Sequence, residues 1–195
     1  MIWLLLAAVV SANQVVLDNE YVYVTRDVAP CASATGPECG DRVIVALGDI
    51  ELPSGNAPRK MTRGDIAVFK RGESYEPPST GPYFEVTIKP DHPPVLSPKE
   101  IIPPEKNAML YAGERFFVFE ERLAPGDIRE RHSHSQRVVI QLNKTRLEQW
   151  PDGQPSIVVE TTPDKPNFNP PVIHVVKNIG DVPLRGVIIE FWPQR

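Results

Sequence analysis

Short apolar runs rich in Val, Ile, Phe and Tyr recur along this chain, divided by Gly, Pro, Asn and Asp, the pattern of an antiparallel sandwich or barrel rather than of helices. The first runs cover residues 21–30, 41–47 and 49–52, and a matching set covers 116–125, 136–142 and 145–150. Each set closes on a β-type run ended by proline, at 83–90 and at 185–193. The six residues from Arg42 to Leu47 overlay those from Arg137 to Leu142 position by position. An internal duplication explains this order economically. Chance likeness between β-branched strands is the alternative.

Composition narrows the picture. The 195 residues can bury a real core, and 22 prolines argue against long helices because each removes a backbone donor. A net charge of −4 with mixed signs offers no basic footprint for nucleic acid. Residues 1–12 form an apolar run of signal-peptide length with Val10-Ser11-Ala12 as a small-residue cleavage site, too short to span a bilayer. That run points to a periplasmic or secreted protein. An oxidising compartment would let the only two cysteines, Cys31 and Cys39, close a small staple. The proline-rich stretch 91–107 reads as a linker, leaving domains at 14–90 and 108–195.

Candidate chemistry lies almost wholly in the second set. Gly126 is followed after five residues by His132 and His134, which project to one face of an extended strand and can share an ion. His174 stands in the apolar run 171–177, where a neighbouring strand can deliver a third imidazole, with Asn178 four positions later. The fourth histidine, His92, falls in the linker. The first set places Pro37 and Cys39 where the second has His132 and His134, so it cannot host the same site. Glu120 to Arg122 and Arg129 to Arg131 alternate in sign and read as solvated faces. Asn143-Lys144-Thr145 has the form of a glycosylation acceptor but reads better as the hairpin turn after Leu142. No serine–histidine–aspartate order, phosphate loop or dinucleotide fingerprint is present.

On these residues the chain resembles the cupin superfamily, specifically a two-domain cupin with a degenerate first domain and a metal motif in the second. Gly126, His132 and His134 match the first family motif, and His174 and Asn178 match the second. The motif's glutamate falls on Val138 or Val139, and Asn169 and Pro171 stand at its upstream proline and glycine. The resemblance implies an all-β fold of two cupin-like antiparallel β-barrels (double-stranded β-helix or jelly roll) and pairing of two copies through exposed strands. It also implies a divalent transition metal on His132, His134 and His174: Fe(II) is favoured, while Mn, Ni, Zn or Cu also suit imidazole.

Without the glutamate, three neutral imidazoles leave the ion its full charge, so an anionic or chelating small molecule should complete the site. Some cupins with three histidines are dioxygenases of thiols and diketones. The expected function is therefore a dioxygenase-type enzyme acting on a small anionic or chelating metabolite, and the alternative is a non-catalytic binding or structural module. Regular alternation puts Gln136 on the histidine face and Gln141 on the other. Gln136 and Asn178 are then the candidates to orient the imidazoles, Gln136 could also act as a weak ligand, and Val138 and Ile140 would form the pocket wall.

Overall fold

The structure, a computed structural model, describes residues 14–55, 57–103 and 108–193, so the candidate signal segment lies outside the described residues. The chain divides into two compact units, one ending at His92 and the other beginning at Pro93. No helix among the described residues is long and apolar enough to cross a membrane.

The first unit contains β1 (Val15–Asp18), β2 (Val22–Arg26), β3 (Asp41–Ala46), β4 (Ile50–Leu52), β5 (Arg59–Met61), β6 (Ile66–Phe69) and β7 (Tyr83–Ile88). A five-stranded antiparallel sheet runs in the order β1-β2-β7-β3-β6, and β4 and β5 form a separate hairpin. Ile44, Ala46, Ala67 and Tyr83 from the sheet pack with Ile50, Leu52 and Met61 of the hairpin into one apolar core. Two loops complete the unit. The first carries the Cys31–Cys39 disulfide, and the Cys31 amide donates to Glu85 Oε1 at 3.2 Å. The second brings Tyr75 to donate its hydroxyl to Glu85, with the Tyr75 amide held by Ala32 O.

The staple thus pins the loop that faces the buried Glu85. Thiol labelling of the unfolded, unreduced chain is expected to find no free cysteine, since closing so short a loop removes roughly 2.5 kcal/mol of unfolded-state entropy. Full labelling before reduction would show that the bridge does not form.

The second unit contains β8 (Ala108–Ala112), β9 (Phe116–Leu123), β10 (Ile128–His134), β11 (Arg137–Gln141), β12 (Arg146–Pro151), β13 (Ile157–Glu160), β14 (Pro166–Asn169), β15 (Val172–Asn178) and β16 (Leu184–Phe191). One sheet runs β14-β11-β16-β9-β8 and the other β10-β15-β12-β13, all antiparallel. Leu123, Leu147, Val176 and Leu184 close one end of the interior. Residues 93–103, expected as part of the linker, belong to this unit. Ser133 N donates to Ile102 O at 2.9 Å, and Leu96 N donates to Gln136 Oε1 at 2.8 Å, so the segment from Leu96 to Ile102 is bonded to residues of β10 and the bend after it.

The two units share a plan. Strand by strand, β6-β3-β7-β2-β1 repeats as β14-β11-β16-β9-β8. Arg42 and Arg137 even perform the same task. Arg42 Nη1 donates to Gly40 O and Lys70 O at 2.8 and 2.7 Å, while Arg137 Nη1 donates to Ser135 O and Pro170 O at 3.2 and 2.8 Å. In each case the acceptors are the residue two positions back and the residue just past the paired strand. The difference lies in the other sheet: the disulfide loop and the Tyr75 loop stand in sequence where the second unit has β10 and β15.

Candidate metal centre

β10 and β15 are the strands that bring the histidines together. They pair antiparallel with His132 directly opposite His174, and His134 follows two residues along the same face of β10. The three rings stand with centroids 4.6 to 5.6 Å apart. Their ligating nitrogens all lie within 4.8 Å of one another. Metal–imidazole bonds of about 2.1 Å place two nitrogens at most about 4.2 Å apart, so side-chain adjustments below an ångström would close the site on an ion.

Each ring is oriented from behind. His132 Nδ1 bonds Glu130 O at 2.8 Å, His134 Nδ1 bonds Glu190 Oε2 at 2.7 Å, and His174 Nδ1 bonds Gln149 Oε1 at 3.2 Å. With Nδ1 donating to an oxygen, Nε2 carries the lone pair. The Nε2 atoms of His132 and His174 are buried and have no hydrogen-bond partner. Burial chiefly pushes His132 down to about 4 and His174 down to about 2, each also lowered by the neighbouring histidines, and holds His134 well below the usual imidazole range. All three are neutral at pH 7, the form that ligates.

Glu190 was not legible as part of this site. Its carboxylate is pushed up to about 7 by burial, against the pull of the Ser135 amide, which donates to it at 2.7 Å, and of Arg137. Glu190→Gln is expected to weaken metal binding by about 10–100-fold, the usual loss when a carboxylate behind a ligating histidine is removed. Competition of the variant and the parent for a chromophoric chelator measures it, and an unchanged affinity would detach Glu190 from the site.

The strand alternation expected beyond His134 does not hold. A bend at Ser135 and Gln136 separates β10 from β11 and resets which residues face inward. Val139 packs with Phe119 and Ile188, and the Phe119 ring lies parallel to His134 at 6.0 Å. Val139 therefore lies on the face of β11 that packs with Phe119, and Val138 and Ile140, fully buried, alternate to the other face. Gln136 bonds the 93–103 segment through Leu96, and Gln141 lies on the same face of β11 as Val139.

Asn178 is also displaced from the role expected of it. Four residues along β15 from His174, it clamps a turn: its amide donates to Leu123 O and Val182 O, and its Oδ1 accepts from Gly180 N and Thr145 Oγ1. The turn at Gly126, with φ of 82°, is tied to the same place by its own amide to Asn178 O. His92 belongs to the first unit, against Tyr21 at 5.5 Å. Asn143 serves the turn after β11, accepting from Arg185 N at 2.8 Å.

Three of the charges expected in solvent are buried: Glu120, paired with Arg122 and Arg185 at 2.6 and 2.7 Å, and the pair of Arg129 and Glu121. Arg129 and Glu121 are 4% and 8% exposed and lie 3.6 Å apart. A β-bulge explains Arg129: three steps of β10, Arg129 to His132, oppose two of β15, Val176 to His174, so both side chains take the same face. Arg131 stays outside, paired with Asp152 and Glu100.

No family model matches the sequence, and no curated protein matches it. Solved structures do. The chain is similar to a cupin 2 conserved barrel domain protein from Leptotrichia buccalis, with a TM-score of 0.51 and 13% identity over 90% of this chain and 86% of that one. It is also similar to AerE from Microcystis aeruginosa, with a TM-score of 0.50 and 16% identity over 88% and 86% of the two chains. At these identities the likeness establishes the fold: this is an all-β chain with the cupin fold.

Proposed function

We propose that the second unit holds a divalent metal on the Nε2 atoms of His132, His134 and His174 and acts as a dioxygenase-type centre on a small anionic or chelating metabolite. The observation that carries this reading is the pair of buried, unpartnered Nε2 atoms in a trio whose Nδ1 atoms are all engaged. Leaving such acceptors unmet costs about 1–3 kcal/mol each, a cost that an ion would remove. When bound, the metal would supply Lewis acidity and positions at which a substrate and dioxygen meet.

The protein's part is then specific. Glu190, Gln149 and the Glu130 carbonyl fix the ring tautomers. Phe119, stacked on His134, and Val139 and Ile188 packed with it present hydrocarbon where the family motif has a glutamate, so no carboxylate would ligate the ion directly and an anionic ligand is favoured. The same apolar side chains exclude water from the site. The disulfide supports placing the protein in an oxidising compartment, periplasmic or extracellular.

Oxygen uptake by metal-loaded protein with thiols, diketones and aromatic acids tests turnover. Consumption that depends on both metal and organic substrate is expected. Metal binding without any uptake across the panel would leave a binding module.

A further inference from the structure

One layer deeper in the second unit, on the same inner face, lie Gln141, Gly186 and Glu121, consecutive across β11, β16 and β9. The bulge in β10 brings Arg129 to Glu121. Gln141 Oε1 is buried without a hydrogen-bond partner. It leans over Gly186, where a Cβ would meet it at 3.0 Å. A buried ion pair and a buried unmet acceptor are both expensive.

The first unit shows that the fold does not demand them. Counted from the matching arginines, Ala46 stands where Gln141 does and pairs with Tyr83 where Gln141 pairs with Gly186. Ala46 and Tyr83 belong to a plain apolar core with Ile50, Leu52 and Met61. At the position of Glu121 stands Asp27, whose carboxylate accepts from Tyr83 N at 2.9 Å. One unit therefore fills this level with a tyrosine ring and hydrocarbon. The other puts a glycine there, a flexible amide with a free acceptor, and a carboxylate beside a guanidinium.

We infer that Gln141, Glu121 and Arg129 form the floor of a ligand chamber beneath the histidines, and that its ligand carries a hydroxyl or amino group at the end remote from its metal-binding group. The inference rests on the proposed metal site for the head of the ligand. Gln141 Oε1 and the Glu121 carboxylate receive the donor at the tail, and Arg129 holds Glu121 in place. Two residues of strand separate the layers, about 7 Å, which matches a chain of about four carbons between head and tail. A ligand whose tail lacks the donor would leave the Gln141 acceptor unmet, so the floor discriminates as well as binds.

The test uses the full chain, cobalt-loaded and metal-free, titrated calorimetrically with butyrate, 4-hydroxybutyrate and 4-aminobutyrate. One or both donor-bearing acids should bind at least about tenfold tighter than butyrate, the effect of one buried hydrogen bond. Gln141→Leu should erase that preference while cobalt stoichiometry is unchanged. Gln141→Glu should restore it and favour the amino acid over the hydroxy acid. Equal binding of all three acids, absence of binding in both metal states, or a preference untouched by Gln141→Leu overturns the floor. Failure of cobalt to bind, with the preference intact in the metal-free protein, overturns the metal reading alone.

Discussion

Protein purified without an affinity tag is expected to carry about one divalent metal per chain, and His132→Ala or His174→Ala should each abolish it. These two rings face each other across β10 and β15, and each has Nδ1 fixed and Nε2 buried and unpaired. Removing either takes away a ligand and also the closest neighbour of the other. The loss must therefore exceed the 10–100-fold expected for Glu190→Gln, which disturbs only a ring's orientation. Elemental analysis against protein concentration reads the result directly, with circular dichroism to show that the variants fold. Metal retained in both variants would mean that the ion sits elsewhere, and an absence of metal from the parent under all loading conditions would end the dioxygenase reading.

Replacing Arg42 by Met should destabilise the first unit by about 3–5 kcal/mol. Arg42 is fully buried, and its guanidinium donates to the carbonyls of Gly40, Lys70 and Glu73 while lying 5.8 Å from the Tyr75 ring. Methionine fills similar space but leaves three carbonyls unmet and removes the positive charge that helps to hold Glu85, whose carboxyl burial already pushes up. Arg42→Lys should recover only part of the loss, because one ammonium cannot reproduce a fork directed at three oxygens. Urea unfolding followed by circular dichroism measures both variants. A midpoint within error of the parent for Arg42→Met would show that the loop carbonyls find water instead and that the arginine is dispensable. Arg137, with the same acceptor pattern, is its counterpart in the second unit.

That pair of arginines also shows how far a sequence can be read. Their overlay, found by matching strands, survives in hydrogen bonds to equivalent carbonyls, because a buried guanidinium needs the same backbone acceptors wherever the local fold is the same. The disulfide was legible for a related reason: two cysteines eight positions apart in a loop can meet without help from the rest of the chain. The three histidines were legible because His132 and His134 share a face by strand geometry alone and only one further histidine lies in a run suited to a neighbouring strand.

What failed was inference across breaks in the strand. The bend at Ser135 and Gln136 turned Val139 and Gln141 inward instead of Val138, Ile140 and Gln136. The bulge between Arg129 and His132 carried an apparently solvent-facing arginine into the interior. Alternation has period two, so one extra residue inverts every assignment after it, and nothing local in this sequence marks where the extra residue falls. Glu190 and Gln149 were missed for a different reason: they reach His134 and His174 from β16 and β12, and proximity of that kind exists only after the sheets have folded.

By itself, then, the sequence determined the all-β character, the staple and the identity of the three imidazoles, since each follows from spacing within a segment. Only the tertiary structure decided which groups stand behind those rings, what faces them, and that a polar layer lies beneath them. Those depend on register between strands far apart in the chain, which is set by packing of the whole barrel and not by any one of its strands.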